Sequence, residues 1–154
     1  MYKCKYFSIK ELVNPTLLKQ IGETVAWTIF DEELLKLADL MREKYGSITI
    51  NSNGLTDCGL RDPQSKTGAK YSMHKIGRAL DGHIVSIEKT ALKYTNSEKR
   101  KKFKIQEYNK IRQELLKDPN FNKLNFENNS KEYPTGIPWL HFDTGNRASR
   151  LFNA

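Results

Sequence analysis

The sequence predicts a single α+β domain over residues 1–154, with helices and strands in separate stretches of the chain. Three observations support this fold class. Two long segments carry apolar residues at helical spacings of three and four, and several short segments alternate apolar and polar residues. No internal repeat or Pro/Gly/Ser-rich linker divides the chain, whose length is typical of one domain.

The first half of the chain contains two predicted helices. A short helix lies within 7–15, because Ser8 is a suitable N-cap, Glu11 follows three residues later, and an Asn-Pro pair ends the segment. A longer helix occupies 31–45, where acidic residues fill the first turn and Gly46 follows the last turn. Its apolar stripe consists of Leu34, Leu37, Ala38, Met41 and Tyr45.

The remaining elements are one helix and several strands. The helix covers 97–117 and ends at an Asp-Pro pair. Alternating or β-branched residues predict strands at 47–52 and 77–87, and short strands and turns between 121 and 152. The intervening segment 53–71 is rich in Gly, Asp, Asn and Ser and is predicted to be a long loop, which is usually functional. The buried stripe of the helix is predicted to be Ile105, Tyr108, Ile111 and Leu115.

The charge balance indicates an anionic partner. Lys and Arg number 26 against 18 Asp and Glu, which leaves a net charge of +8. Basic residues are concentrated in the helix at 99–104, but no known nucleic-acid-binding signature accompanies them, so nucleic acid is not expected. No apolar run is long enough for a transmembrane segment, and the start of the chain does not resemble a signal peptide. Cys4 and Cys58 form no CxxC pair and are expected to be thiols.

Two of the three histidines lie in unusual surroundings. His74 occurs in SMHKIGRALD, which ends at Asp81, and His141 occurs in WLHFD. A hydrolytic zinc site needs three nitrogen or oxygen ligands and one open position, and these three residues would supply such a set. Gly77 interrupts the first stretch, so a turn followed by a strand is the expected way for His74 and Asp81 to meet. Spacing alone is also compatible with structural histidines.

These two stretches resemble the motifs of a known family. SMHKIGRALD resembles the S-x-H-x-x-G-x-A-x-D motif of the zinc D-Ala-D-Ala carboxypeptidases, a family that includes phage peptidoglycan endopeptidases, and WLHFD is similar to its later H-x-D element. FSIKEL at 7–12 and the segment from the 31–45 helix to Ser52 resemble further family elements, so the likeness covers about 7–147. The resemblance implies an α+β fold with a small antiparallel sheet that carries zinc and is flanked by helices. It further implies that His74, Asp81 and His141 bind Zn2+.

The resemblance also implies roles for neighbouring residues. Arg61 would hold a substrate carboxylate or the developing oxyanion, and Ser72 would donate a hydrogen bond at the edge of the site. Many members carry an acidic general base three residues before the last zinc histidine, but that position is Pro138 here. Asp143 is the preferred replacement and Glu132 the other candidate. Asp143 could equally orient a ligand histidine.

The expected function is that of a zinc-dependent peptidase acting on stem peptides of bacterial peptidoglycan, as a carboxypeptidase or an endolysin-type endopeptidase. Such a protein would be derived from a phage, made in the bacterial cytoplasm without a signal peptide, and active at the cell wall after lysis or within the virion. The basic helix would attract anionic wall polymers. The alternative is a non-catalytic phage virion or cell-wall-binding protein that retains the fold and metal site. His83 and Trp139 are expected to be structural.

Overall fold

The computed structural model describes residues 1–52 and 54–153 and shows an α+β fold. Its helices are α1 (Ile9–Leu12), α2 (Pro15–Ile29), α3 (Glu32–Tyr45), α4 (Val85–Ala91) and α5 (Ser97–Lys117). Its strands are β1 (Ile48–Thr49), β2 (Ala79–Ile84), β3 (Asn125–Asn129), β4 (Leu140–Asp143) and β5 (Leu151–Asn153). Short 3₁₀ turns cover Met73–Ile76 and Pro119–Phe121.

Three helices follow the predicted positions, and their ends show why. The Glu11 carboxylate accepts hydrogen bonds from the backbone N–H and hydroxyl of Ser8 at the start of α1. The carboxylate of Asp31 accepts from two backbone N–H groups at the start of α3, and Gly46 ends that helix with a φ of 78°. Helix α5 begins and ends where its pattern predicts. Its buried stripe differs from the prediction at one turn: Arg112 is buried there, and Ile111 is only half-buried.

Helices α2 and α4 were not expected. The Asn14-Pro15 pair ends α1 but also starts α2, because the Asn14 side chain accepts from two backbone N–H groups and Pro15 occupies the first turn. Gly22, with a φ of 77°, bends α2 and breaks its apolar periodicity. Helix α4 takes the last part of the predicted 77–87 strand, and β1 is shorter than predicted.

The five strands form one sheet in the order β1-β2-β4-β3-β5. The β1–β2, β2–β4 and β3–β4 pairs are antiparallel, as expected, but β3 and β5 are parallel. The sheet is therefore mixed rather than purely antiparallel. The reason is the chain path: both β3 and β5 run opposite to β4, so they run in the same direction as each other.

The register of β2 and β4 separates a core face from an open face. Leu80 pairs with Phe142, and Asp81 pairs with His141. Leu80 and Phe142 are buried with Phe126 in one hydrophobic cluster that includes apolar residues of α1, α2, α3 and α5. Because side chains alternate along a strand, Asp81 and His141 project from the opposite face.

Two buried polar residues of α5 fix the position of the sheet. The Tyr108 hydroxyl accepts from the Ile84 N–H at 2.9 Å and donates to Glu88 at 2.9 Å. Arg112 is fully buried and donates to the carbonyls of Ile137 and Trp139, immediately before β4. The Tyr108 bonds hold the end of β2 and helix α4 against α5. The Arg112 bonds hold the segment before β4 against α5, and thereby fix the strand that carries His141.

The long loop before β2 is also tied to the core. Of the predicted loop 53–71, residue 53 lies outside the described part of the chain, and 54–71 contains no helix or extended strand. Leu60 donates its N–H to Leu12 at 2.7 Å, and its carbonyl accepts from Asn14 at 2.9 Å. Within the described residues, no helix combines the length and hydrophobicity needed to cross a membrane.

Candidate metal centre

His74, Asp81 and His141, referred to here as the triad, lie together on the open face of the sheet. Each is at most 7% exposed. His74 Nε2 is 3.3 Å from His141 Nδ1 and 3.3 Å from Asp81 Oδ2, and His141 Nδ1 is 2.7 Å from Asp81 Oδ1. The structure therefore brings the three predicted ligands into one group, with their ligand atoms all within 4.8 Å of one another.

The local sequence explains how each residue reaches the triad. The Ser72 hydroxyl accepts from the His74 N–H at 3.4 Å and caps the 3₁₀ turn. Gly77 ends this turn with a φ of 67°, and a Cβ there would lie only 2.6 Å from the Ile29 carbonyl oxygen. The chain then enters β2, where Asp81 pairs with His141. A turn followed by a strand thus joins His74 and Asp81, as the glycine indicates.

Hydrogen bonds fix which nitrogen of each histidine faces the triad. His74 Nδ1 donates to the Gly59 carbonyl at 3.0 Å, which leaves Nε2 directed at the triad. His141 Nε2 faces Asp143 Oδ2 at 3.3 Å, and its Nδ1 faces Asp81. The second nitrogen of each metal-binding histidine usually donates to a carbonyl or a carboxylate, and both triad histidines follow this rule.

The spacing of the triad fits a metal ion. A tetrahedral ion with ligand bonds of about 2.0–2.1 Å, the range typical of zinc, places neighbouring ligand atoms about 3.3–3.4 Å apart. Two of the three triad distances are 3.3 Å. The shorter contact between His141 and Asp81 is a hydrogen bond, and a metal ion would take the place of its proton. Two imidazoles and one carboxylate can therefore hold a metal ion of this size.

The electrostatics of the triad favour a cation. Although burial raises the pKa of Asp81, the two histidines hold it far below its usual range, so this residue is a carboxylate. Burial also lowers the pKa of His141, but its bonds to Asp143 and Asp81 outweigh burial and raise it to about 9. Burial lowers the pKa of His74, which favours its neutral form. One cation, a proton or a metal, is thus accommodated between His141 and Asp81.

Arg61 contacts the triad directly. Its Nη2 donates to Asp81 Oδ2 at 3.0 Å, and its Nε donates to the carbonyl of Asp57. The side chain is almost fully buried, and a Cβ at Gly68 would lie 2.7 Å from Nη1, so the loop encloses the guanidinium closely. Arg61 therefore positions Asp81 and is not a solvated loop charge. Its guanidinium also borders the space above the triad.

Asp143 lies behind His141. It is fully buried and accepts hydrogen bonds from Arg147 Nη2 at 2.5 Å, Asn125 Nδ2 at 2.9 Å and the Gly145 N–H at 2.9 Å. It faces the Nε2 atom of His141, which points away from Asp81, and it does not border the space above the triad. This geometry supports the orienting role considered for Asp143 and does not support proton transfer by it.

A cavity of about 510 Å³, the first cavity, opens above the triad. Its lining includes two predicted residues, Ser72 and Glu132, and two that the sequence analysis did not single out, Glu127 and Arg147. Glu127 lies two residues after Asn125 on β3, and Asn125 pairs with Asp143, so Glu127 shares the face of the triad. Burial raises the pKa of Glu127. Strand alternation in the sequence places Asn125 and Glu127 on one face, but it does not show that this face is the one that carries the triad.

The two residues expected to be structural have distinct positions. His83 Nδ1 lies 3.6 Å from Glu88 Oε1, outside the triad. Trp139 packs edge-on against Tyr133, with ring centroids 5.1 Å apart, and also borders the first cavity. Trp139 is thus available as a wall for a bound ligand.

Comparisons with protein-family models, with curated proteins and with solved structures gave no match for this chain. The resemblance to the zinc D-Ala-D-Ala carboxypeptidases consequently rests on the motifs in the sequence. The case for a metal centre rests separately on the distances, burial and hydrogen bonds of the triad.

Proposed function

We propose that this protein is a zinc-dependent peptidase that hydrolyses peptide bonds in bacterial peptidoglycan. The observation that carries the proposal is the buried triad, with 3.3 Å ligand spacing, at the base of an open cavity. The motif resemblance supplies the substrate class. When bound, zinc would lower the pKa of a water molecule and polarise the scissile carbonyl.

The residues around the triad would hold the substrate and stabilise charge. A peptide would lie in the first cavity against Trp139, with Ser72 at its edge. The positive guanidinium of Arg61, fixed by Asp81 and the Asp57 carbonyl, would stabilise negative charge that develops on the carbonyl oxygen. A fixed positive group is effective in such a site because it does not have to reorganise during the reaction.

Proton transfer is assigned to Glu127 in this proposal. It lies on the face of the triad, borders the first cavity and is half-buried. Burial raises its pKa, which makes the carboxylate a better proton acceptor near neutral pH. Glu127 would accept a proton from the attacking water and return it to the leaving amine. Glu132, which is exposed at the same cavity, is the second candidate.

Asp143 and its partners would keep His141 in position. Arg147 and Asn125 fix the Asp143 carboxylate, which in turn fixes the Nε2 atom of His141. A ligand histidine that is held in this way stays in the tautomer and ring orientation that metal binding requires.

The cellular setting is part of the proposal. A phage-derived enzyme that is made in the bacterial cytoplasm would reach the wall after lysis or as part of the virion. The side chains of Lys99, Lys101 and Lys102 border a surface groove on α5 that could contact anionic wall polymers.

The first experiment measures zinc content and cleavage together. Purified protein is reconstituted with zinc, the bound metal is quantified, and digested muropeptides are analysed for new termini by mass spectrometry. We expect about one zinc ion per chain and new termini, and both should be lost in His141→Ala. His83→Ala, which removes a histidine outside the triad, should retain its zinc.

The outcomes separate the two functions. Zinc binding without cleavage, across walls of several chemical types, would contradict the peptidase and favour a non-catalytic virion or wall-binding protein. Pro138 at the usual position of the general base is the observation behind that second function. Failure to bind zinc would contradict both.

A further inference from the structure

A second cavity adjoins the first at the triad. It has a volume of about 340 Å³, and four residues line both cavities: Arg61, Thr67, Asp81 and Trp139. From this shared wall the first cavity extends towards Glu127, Ser130, Arg147 and Phe152, and the second towards Leu55, Thr56, Cys58 and His83. Open space therefore continues past the triad in two directions, and each part is large enough to hold a small ligand.

The charges along this two-sided cleft do not suit a terminal carboxylate. Arg61 and Arg147 are the only arginine or lysine side chains among the described residues that line the two cavities. Arg61 is paired with Asp81 at 3.0 Å, and Arg147 is paired with Asp143 at 2.5 Å. Arg147 also stacks on Phe152, with its guanidinium carbon 3.6 Å from the ring centroid.

Recognition of a free C-terminus usually relies on an arginine that pairs bidentately with the carboxylate. Here each guanidinium along the cleft already faces a buried carboxylate of the protein. A substrate carboxylate would also approach Glu127 and Glu132, which border the first cavity. An uncharged amide avoids this repulsion.

We infer that the protein is an endopeptidase: the peptide chain continues on both sides of the bond that is cleaved, and the cleft binds neutral backbone in both directions. This inference rests on the proposed peptidase function and assigns its substrate class. The first cavity holds the chain on one side of the scissile bond, and the second cavity holds it on the other.

The test compares two peptides with the zinc-loaded wild-type protein. One is a synthetic stem pentapeptide with a free D-Ala carboxylate, and the other is the same peptide extended by Gly-Gly-amide. Calorimetry measures affinity, and mass spectrometry measures kcat/KM and the bond that is cleaved. We expect the extended peptide to bind about tenfold more tightly and to be cleaved at an internal bond.

The opposite preference, with release of single C-terminal residues from the free acid, overturns the inference. If neither peptide is cleaved, the proposed function fails, and the affinities alone decide the nature of the cleft. Tighter binding of the extended peptide still supports a two-sided cleft, while equal or weaker binding overturns it.

A pair of variants locates the two halves. Thr56→Trp fills the second cavity, and Ser130→Trp fills the first beyond the shared wall. The affinity for each half of the extended peptide is measured with the two product peptides. We expect each variant to weaken the binding of a different product peptide by about tenfold. Weaker binding of the same product peptide in both variants overturns the inference. Zinc content and circular dichroism confirm that each variant is folded.

Discussion

Replacement of the buried carboxylate behind His141 is the most direct test of how the triad is held. In Asp143→Asn the side chain keeps its size but loses its charge and one acceptor oxygen. Arg147 then lacks a carboxylate partner, and the Nε2–H of His141 can meet an amide N–H instead of an oxygen. The His141 tautomer with the proton on Nδ1, the atom needed for metal binding, becomes more populated.

The size of the effect follows from this arrangement. Loss of a group that orients a metal ligand lowers metal affinity by about 10–100-fold, or about 1.4–2.7 kcal/mol. At pH 7 a second effect opposes it. Asp143 helps to raise the pKa of His141 to about 9, so its removal lowers that pKa. The proton that competes with zinc at His141 is then bound less tightly, which favours zinc binding. The full loss is therefore expected near pH 9, and a smaller loss at pH 7.

The assay is a competition titration against a chromophoric zinc chelator at both pH values. Asp39→Asn is the matched control, because Asp39 is also buried and hydrogen-bonded but accepts from the N-terminal segment, at Tyr2, Lys5 and Tyr6. That control should lower thermal stability without changing zinc affinity. Wild-type zinc affinity of folded Asp143→Asn at pH 9 would falsify the orienting role.

Three further predictions concern proton transfer, acid stability and the core. Glu127→Gln should lower kcat by about 10²–10⁴-fold while zinc content stays at the wild-type level, and Glu132→Gln should not; the reverse pattern would reassign the base. Although burial raises the pKa of Glu88, the nearby His83 and the ion pair with Lys104 lower it from 4.5 to about 2. This stabilisation is therefore complete above pH 4.5 and is lost as the pH falls towards 2. The free energy of unfolding of Glu88→Gln should therefore fall less steeply with pH in that window. An unchanged profile would exclude this contribution. Phe142→Ala, on the core face of β4, should lower the free energy of unfolding by about 3–5 kcal/mol in a denaturant titration, and a loss below about 1 kcal/mol would contradict the packing described for that face.

The sequence predicted elements whose signals are local. Helices α3 and α5 combine amphipathic spacing with capping residues, and both begin and end close to the predicted positions. Helix α2 was missed because Gly22 interrupts its periodicity and because Asn-Pro pairs end helices as readily as they begin them. The parallel pairing of β3 and β5 depends on the path of the chain in three dimensions, which no local pattern encodes.

The triad could be proposed from the sequence because its three residues stand in short motifs, but the neighbouring roles could not. Strand alternation placed Asp143 on the same face as His141 without showing which nitrogen of His141 it contacts. Glu127 and Arg147 lie outside both motifs, and only the folding of β3 and the last loop brings them to the cavity. Such long-range neighbours are determined by tertiary packing.

The order of the strands also affects how the chain is completed during synthesis. The sheet neighbours of β3 are β4 and β5, and both follow it in the chain. Strand β3 therefore leaves the ribosome before either neighbour has been made. When β4 emerges, it joins the two separate parts of the sheet and places His141 beside Asp81 in the same step. A nascent chain that stops before residue 141 would lack both the closed sheet and the third ligand. The triad can therefore hold a metal ion only after the central strand has been inserted.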